Sequence, residues 1–236
     1  MFLPHAPNSF RQRNRHPTSS ASTAQVGLAV YDGAQVLGET IWRSKQHHTV
    51  ELAPAVAELM RRSGLSMQDL RALGVAIGPG SFTSLRVGLS LVKGLALACG
   101  LPLIGIPTLD IYAAAQPASR LPLLTAIQAG RSKLAVGLYK STKHGWQAQG
   151  AARVVPSESL IYEIKTPTLV CGEFTVEERQ HLAKDEANVK LVAPAQSVRR
   201  PSVLAELAWS RWQKGEVDEE ASLAPIYLHT TETNVS

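Results

Sequence analysis

The chain has 236 residues, which is enough to bury the core of one large domain or of two small ones. Hydrophobic residues make up 44% of it and charged residues 18%, as in an ordinary globular protein. The formal charge is +5, of which +3 comes from Arg11, Arg13 and Arg15, because residues 1–23 contain no acidic residue. The remaining +2 gives no indication that the rest of the chain binds nucleic acid directly.

The two cysteines, Cys99 and Cys171, have no C-x-x-C or histidine spacing near them. We therefore predict two reduced, buried thiols and neither a disulfide nor a metal site. The N-terminus lacks the apolar stretch of a secretory signal. The most apolar window, residues 85–106, is interrupted by two basic residues and by Pro102, which argues against a membrane span. We expect a cytoplasmic protein without membrane contact.

Residues 1–21 are rich in Pro, Asn, Ser and Arg and are predicted to form a disordered, atypical leader. Apolar alternation around the turn dipeptide Asp32-Gly33 then indicates a hairpin. The next apolar residues have helical spacing, with Pro54 early in the helix or kinking it and Gly64 as its C-cap. The predicted elements of the first half are strands at 26–30 and 36–42, a helix at 47–62, a strand at 73–77, a helix at 81–99 and a strand at 102–106.

The second half repeats this order of elements. Thr175 and Glu178 have the spacing of a capping box, which predicts the start of a helix there. The predicted elements are strands at 121–128, 133–139 and 147–155, a short helix at 158–164, a strand at 168–171, the helix from 175, a strand at 189–192 and a closing helix at 202–214. Two stacked α/β domains with mixed sheets follow from this order.

The two halves differ in their opening strands, since the second half begins with three strands and the first with two. An extra strand in the first half would have to come from residues 15–20, which have no apolar alternation. Pro17 within them cannot donate to a central ladder. The sequence therefore predicts that the first domain lacks its opening strand.

A glycine-rich loop of Gly78, Pro79, Gly80 and Ser81 joins the strand at 73–77 to the next helix. Phosphate loops need successive backbone N–H groups and usually a lysine, and Pro79 removes one donor. Neither G-x-x-x-x-G-K-[ST] nor G-x-G-x-x-G is present. The pattern favours a tight structural connection with Ser81 as the N-cap.

The helix at 81–99 is apolar on two sides and must be covered on two sides. Its two stripes are Leu85, Leu89, Val92 and Ala96, and Val87, Leu91, Gly94, Leu95 and Ala98. Ser84 and Gly88 are small and four residues apart, so that another helix can approach closely. The sheet can cover one stripe, and either the helix at 47–62 or a second protein chain can cover the other.

The run at 74–110, GVAIGPGSFTSLRVGLSLVKGLALACGLPLIGIPTLD, resembles the signature of the bacterial TsaB family, also called YeaZ. Ser84 stands where that family usually has glycine. Residues 22–38 resemble the family's first hairpin, and residues 225–228 (PIYL) resemble its C-terminal motif. The resemblance covers residues 22 to about 116 well and the second half loosely.

This resemblance implies two stacked lobes of the actin-like ATPase (ribonuclease-H-like) fold. We expect lobe one at 22–110, lobe two at 111–200, and a C-terminal helix within 201–236 that packs back on lobe one and ends in a tail. The family's usual first strand, which ends in Ile-Asp-Thr, has no counterpart here. We therefore expect a chain less stable than a usual member, as a misassigned start, a frameshift or a degraded copy would give.

The resemblance also implies a non-catalytic partner subunit without cofactors. It would pair with a TsaD-like catalytic subunit for N6-threonylcarbamoyladenosine formation at tRNA position 37, and with itself when alone. The chain would interact with a TsaE-like ATPase through the complex, and with tRNA only indirectly. The expected partner-contacting residues are His48, Leu52, Val56, Ser84, Leu85, Gly88, Leu89 and Val92.

Three other functions compete with this one. A nucleotide-binding module would use the cleft between the lobes, and the sequence leaves this open. A metal-dependent peptidase or transferase of the same superfamily would need an H-x-x-x-H pair, which none of the seven histidines forms, and adjacent His47 and His48 point apart. A serine hydrolase would need G-x-S-x-G, and Ser81 has no assignable base.

The family's D-A-R-[RK] motif after the first strand of lobe two is also altered. It appears here as Gln128-Ala129-Gly130-Arg131, and only the arginine is clearly kept. This departure makes catalysis by the chain alone still less expected.

Overall fold

The computed structural model describes residues 25–44 and 48–228, without the side chains of His48 and Thr49. The predicted leader at 1–21 lies outside these ranges. The helices and strands are β1 (Gln25–Tyr31), β2 (Val36–Arg43), α1 (His48–Ser63), β3 (Leu73–Gly78), α2 (Phe82–Cys99), β4 (Leu103–Pro107), α3 (Thr108–Ala114), β5 (Leu123–Gln128), β6 (Lys133–Thr142), β7 (Gly145–Ala148), β8 (Arg153–Pro156), α4 (Leu160–Glu163), β9 (Thr168–Gly172), α5 (Val176–Leu182), β10 (Val189–Leu191) and α6 (Pro201–Gln213).

Local turn and cap chemistry explains several element boundaries. The Asp32 carboxylate accepts hydrogen bonds from the amides of Ala34 and Gln35 at 2.8 and 2.7 Å, which fixes the turn between β1 and β2. Gly64, with φ of +68°, ends α1 as predicted. The capping box that opens α5 at Thr175 is confirmed.

The second half forms one mixed sheet in the order β10-β9-β5-β6-β7, with β8 also paired to β6. The predicted single strand at 147–155 is wrong, because the structure has two strands, β7 and β8, with residues 149–152 between them. Gly150, with φ of +132°, lies in this break, since glycine alone adopts such a φ without strain. Both strands pair antiparallel with β6, so the sheet keeps its buried face.

Helix α3 was not predicted. It has seven residues and follows β4 directly, and five of them are buried. A helix buried on all sides has no polar stripe, so the periodicity that marks a surface helix is missing. The Tyr112 hydroxyl of α3 donates to the Glu173 carboxylate, 2.5 Å away, and this bond ties the helix to the end of β9.

The first half contains two separate ladders. β1 and β2 pair antiparallel, β3 and β4 pair parallel, and within residues 25–44 and 48–228 no strand joins the two ladders. The inner edges of β1 and β3 are consequently left without a strand partner in the described part of the chain. The predicted lack of an opening strand concerns residues 15–20, which lie outside the described part, so it stays a prediction.

Helices cover both faces of these ladders. On one face, a Cβ at Gly27 of β1 would lie 2.8 Å from Pro201 of α6, and a Cβ at Gly74 of β3 would lie 2.9 Å from Ala208. On the other face α1 packs against β1 and β2, while Leu89 of α2 lies in one cluster with Val75. Glycine is needed at residues 27 and 74 because α6 approaches the backbone so closely.

Helix α6 is tied to β2 at its start. Glu39 of β2 accepts hydrogen bonds from the backbone amide and the hydroxyl of Ser202 at 3.0 and 2.6 Å, and from Arg200 at 2.6 Å. Partial burial works against its ionisation, but these hydrogen bonds outweigh burial, so the pKa of Glu39 lies below its usual value. A carboxylate at a helix N-terminus also satisfies the otherwise unpaired amides there.

Candidate functional site

The glycine loop lies against the C-terminal segment of the chain. Gly78 has φ of +103°, and a Cβ there would lie 2.8 Å from the carbonyl oxygen of Ile226 and 3.0 Å from Leu85. The Ile226 amide donates to the carbonyl of Ile77 at 2.6 Å. The glycine is therefore explained by the close approach of the chain itself.

Ser81 stands at the predicted N-cap position of α2, but the predicted side-chain cap is wrong. Its hydroxyl is instead engaged by Ser84, whose Oγ donates to the Ser81 Oγ over 3.1 Å. A hydroxyl used in this way does not satisfy the first amides of the helix.

An aromatic cluster fixes the C-terminal segment on α2. The rings of Phe82 and Tyr227 are 5.1 Å apart, and the Arg86 guanidinium lies 3.7 Å from the centre of the Phe82 ring. Arg86 also donates to the Tyr227 hydroxyl at 3.0 Å. Cation–π contact and hydrogen bond together hold the segment that resembles the family's C-terminal motif.

A cleft of about 1510 Å³ lies between the glycine loop and the second half. Its walls carry the carboxylates of four residues and the positive charges of Arg43 and Arg131, with His181 at one side. The acidic residues are Glu158, Glu173, Glu177 and Glu178. The Glu173 carboxylate is buried against Tyr112, but the acidic residues of the lining still outnumber the arginines, and such a lining disfavours a polyphosphate.

The altered motif at residues 128–131 lies in the wall of this cleft. The Gln128 amide donates to the Glu178 carboxylate at 2.7 Å and to the Glu173 carbonyl at 3.3 Å. Gly130, with φ of +114°, forms the turn, and Arg131 is exposed. Gln128 thus serves to join β5 to the start of α5.

Two buried hydrogen-bonded pairs join α3 to the second half, Tyr112 with Glu173 and Asp110 with Tyr139. Burial raises the pKa of Tyr112 and of Tyr139 far above the usual value, with further raising by the carboxylates that they touch. Burial also raises the pKa of Asp110, which accepts from the Tyr139 hydroxyl at 2.6 Å. The pKa of the buried Cys171 thiol is raised to about 12 by burial, so this thiol is not a nucleophile at neutral pH.

The expected partner-contacting residues fall into two groups. Leu52, Leu85 and Leu89 are buried in the chain's own core, at 7%, 8% and 5% exposure. Four others are half-buried and line a cavity between the ladders and the helices: Val56, Ser84, Gly88 and Val92. His48 begins α1, and its side chain lies outside the described part. A role of any of them in partner contact stays a prediction.

Large apolar side chains are exposed elsewhere on the same two helices. Val50 of α1 is 66% exposed, and Leu97 and Phe82 of α2 are 76% and 51% exposed. Sequence reasoning missed them because Phe82 and Leu97 belong to neither apolar stripe of α2, and Leu97 follows Lys93 by four residues on the side that carries the basic residues. The prediction that Cys99 is buried is wrong, since it is exposed near the end of α2.

Helix α2 also has the length and composition of a membrane-crossing helix, the one such helix among residues 25–44 and 48–228. A core helix of a soluble protein passes the same test. Leu85, Leu89 and Ala96 are its buried residues, and no others of its 18 are buried. Across the described ranges, no group of three or more His, Cys, Asp or Glu residues is placed to hold a metal ion.

Comparisons with known proteins identify the family of the chain. A family model described as "TsaD: tRNA N6-adenosine threonylcarbamoyltransferase" matches residues 35–201. The tRNA threonylcarbamoyladenosine biosynthesis protein TsaB of Bacillus subtilis (strain 168) is 30% identical over 89% of this chain and 92% of that protein. The chain belongs to the TsaB family. The resemblance indicated by the run at 74–110 is thereby confirmed.

Further relatives agree with membership of the TsaB family. The protein of the same name from Escherichia coli (strain K12) is 34% identical over 48% of this chain and 50% of that protein. The solved structure of YeaZ from Pseudomonas aeruginosa has a TM-score of 0.72 at 22% identity, covering 89% of this chain and all (100%) of that chain. This likeness confirms the predicted α/β fold of the actin-like, ribonuclease-H-like type.

Proposed function

We propose that the chain is the non-catalytic partner subunit of a tRNA threonylcarbamoyladenosine-forming complex. It pairs with a TsaD-like catalytic subunit, reaches a TsaE-like ATPase through that complex, and pairs with itself when alone. We place it in the cytoplasm, with tRNA contacted only through the complex. Membership of the TsaB family supports this role.

The observation that carries the proposal is that most of the apolar helix α2 is not buried. This apolar helix of 18 residues has three buried residues, and Leu97 is 76% exposed on it. Exposed apolar side chains on neighbouring helices are typical of a protein–protein contact. Val50 of α1, a helix that contacts α2, is also exposed, at 66%.

The cleft supports a role without catalysis. The carboxylates in its lining repel the phosphates of a nucleotide. The glycine loop beside it is shaped by contact with Ile226. The Ser81 hydroxyl accepts a hydrogen bond from the Ser84 hydroxyl. A nucleotide-binding module remains the rival reading because the cleft is large, and calorimetric titration with ATP separates the two, since a non-binding subunit gives no heat above dilution.

The first prediction tests pairing with the catalytic subunit by replacing an exposed apolar residue with a charged one. Leu97→Asp and Val50→Asp are each expected to weaken binding to a TsaD-like subunit at least about tenfold, about 1.4 kcal/mol, because a carboxylate replaces an apolar contact. The measurement is the Kd from interferometry with purified subunits. Leu89→Asp is unsuitable, since Leu89 is buried in the chain's own core.

Leu138→Asp is the matched control for this prediction. Leu138 is 47% exposed on β6 in the second half, so the same change should leave the Kd unaltered. Normal binding by both helix variants, together with weakened binding by Leu138→Asp, would move the interface to the second half.

The second prediction concerns catalysis. Ser81→Ala is expected to change tRNA modification in a reconstituted system by much less than the roughly 10²–10⁴-fold loss that removal of a catalytic acid or base causes. The assay measures modified adenosine by mass spectrometry, with the amount of assembled complex measured in the same samples. A loss of that size with normal assembly would make this chain an enzyme.

A further inference from the structure

The last described segment of the chain spans the cleft between the two halves. It starts at the outer edge of β4, where the Asp218 amide donates to the Leu103 carbonyl at 2.8 Å. It ends at Leu228, which lines the cleft and packs against the apolar cluster of the second half that contains Tyr139. We call residues 223–228 (LAPIYL) the C-terminal strap. The strap thus contacts both walls of the cleft.

The first part of the strap is fixed on the first half by close packing. Leu223 packs against the cluster that contains Val75, and a Cβ at Gly105 of β4 would lie 2.8 Å from the Leu223 side chain. The Ile226 amide donates to the carbonyl of Ile77 at the end of β3. Apolar burial and a backbone hydrogen bond together make this the firm end of the strap.

The middle of the strap is held on α2 by contacts that are open to solvent. The Tyr227 ring lies against the Phe82 ring, and the Tyr227 hydroxyl accepts a hydrogen bond from Arg86. Phe82 and Tyr227 are 51% and 39% exposed, and Arg86 is exposed as well. Cation–π contacts stabilise less at exposed sites than at desolvated ones. This attachment is therefore weaker than the packing of Leu223.

One side chain holds the strap on the second half. In the part of the chain that the structure describes, the strap backbone donates two hydrogen bonds, from Leu223 to its own segment and from Ile226 to β3, and neither reaches the second half. The half-buried Leu228 makes the apolar contact that does. Apolar contacts are non-directional, so the strap can leave the second half without breaking a backbone hydrogen bond.

Helix α3 ties the two halves together more firmly than the strap does. Its Tyr112 and Asp110 form the hydrogen bonds to Glu173 and Tyr139 described above, and five of its seven residues are buried. The low local dielectric strengthens hydrogen bonds in such surroundings. A relative movement of the halves would therefore release the strap first and turn about α3.

We propose that the C-terminal strap is a releasable latch, which sets the width of the cleft and holds the first turns of α2 in place while it is closed. Release needs Leu228 to leave the second half and the Tyr227 ring to leave Phe82. The cleft then widens by rotation about α3. Because α2 carries the apolar residues proposed for pairing, a closed latch favours pairing, and this consequence rests on the proposed function.

The first test measures the width of the cleft in the full chain by double electron–electron resonance. Spin labels are placed by Arg43→Cys and Glu177→Cys, at exposed positions on opposite walls, after the exposed Cys99 is changed by Cys99→Ser. The buried Cys171 stays unlabelled. One narrow distance distribution is expected for this labelled chain, since the closed latch allows one arrangement of the halves.

Leu228→Asp is expected to open the latch, because a carboxylate cannot pack in the apolar cluster, and to broaden the label distances at least about twofold. Leu138→Asp adds the same charge at an exposed leucine of the second half and is expected to leave them unchanged. A narrow, unshifted distribution for Leu228→Asp would overturn the proposal, as would a broad one before any change in the strap. If circular dichroism shows that Leu228→Asp is unfolded, Tyr227→Ala takes its place.

Hydrogen exchange in the free chain tests the hold of the strap on α2. Tyr227→Ala is expected to speed exchange of the amides of residues 85–89 at least about fivefold, and Tyr227→Phe, which keeps the ring, to restore most of the protection. Tyr162→Ala removes an equally accessible tyrosine of the same cleft and is expected to change nothing. A urea midpoint equal to that of the parent chain separates the latch from general stability. Unchanged exchange in Tyr227→Ala would contradict the proposal.

Pairing with a TsaD-like subunit tests the consequence of the latch. Leu228→Asp is expected to raise the Kd at least about threefold, although the strap lies apart from the exposed residues Leu97 and Val50. Normal pairing by Leu228→Asp, together with weakened pairing by Leu97→Asp, would overturn the link between latch and pairing. Normal pairing by every variant would count against the proposed function instead, and the label distances alone would then decide for or against the latch.

Discussion

Gly172→Ala is expected to lower the free energy of unfolding by about 2–6 kcal/mol, a large part of a typical total of about 5–15 kcal/mol. Gly172 ends β9 with φ of +134°, where an alanine costs about 1–3 kcal/mol. A Cβ there would lie 1.8 Å from the carbonyl oxygen of Ala126 on β5, and relief of that collision moves backbone at a further cost of about 1–3 kcal/mol. Urea unfolding followed by circular dichroism measures the change.

Gly100→Ala is the control that separates collision from backbone conformation. Gly100 caps α2 with φ of +65°, and a Cβ there meets nothing within 4 Å. Its expected cost is about 1–2 kcal/mol, from the left-handed conformation alone. Equal effects of the two substitutions would show that the packing of β9 on β5 adapts to the extra methyl group.

Asp218→Ala is expected to cost about 2–4 kcal/mol, because Asp218 supports the outer edge of β4. Its carboxylate accepts from the Gly105 amide at 2.7 Å and from Arg211 at 3.2 and 3.3 Å. Arg211 in turn donates to the Gly105 carbonyl at 2.7 Å. Without the carboxylate, the strand amide loses its acceptor and the half-buried guanidinium loses one of its acceptors. The urea midpoint again gives the measurement.

Asp218→Asn and Glu216→Ala resolve the source of that effect. Asparagine keeps an acceptor for the Gly105 amide, so it should restore more than half of the loss. Glu216 faces Arg211 across 3.6 Å and is 54% exposed, and its removal should cost less than about 1 kcal/mol. A Glu216→Ala effect as large as that of Asp218→Ala would assign the stabilisation to charge rather than to the strand edge.

Sequence patterns predicted those elements that depend on contacts between residues close together in the sequence. The hairpin at Asp32 and the capping box at Thr175 depend on contacts two or three residues apart, and local chemistry of this kind is visible in the sequence. The glycine loop is different. Its shape depends on Ile226, which is far along the chain, so the sequence indicated a turn but not what fills it.

The candidate site was less predictable than the fold. Both stripes of α2 are apolar, and only the tertiary arrangement decides that Leu89 of one stripe lies against β3 and β4 while Ala98 of the other stripe is exposed. Helix α3 was missed because burial on all sides removes the periodic signal. The lack of an opening strand stays a prediction from residues 15–20, which have no apolar alternation and lie outside the described part.

The inner edges of β1 and β3, which have no strand partner within residues 25–44 and 48–228, affect how the chain behaves in concentrated solution. Exposed strand edges are usually blocked by lysine, proline or inward charges, which prevent intermolecular strand addition, and neither QVGLAVY nor LGVAIG contains any of these. The cover of α1, α2 and α6 is the protection that remains in the described part. Heating that loosens α6 before the ladders separate would bring two uncharged, apolar strands into contact with other copies, and cross-β aggregation would make unfolding irreversible.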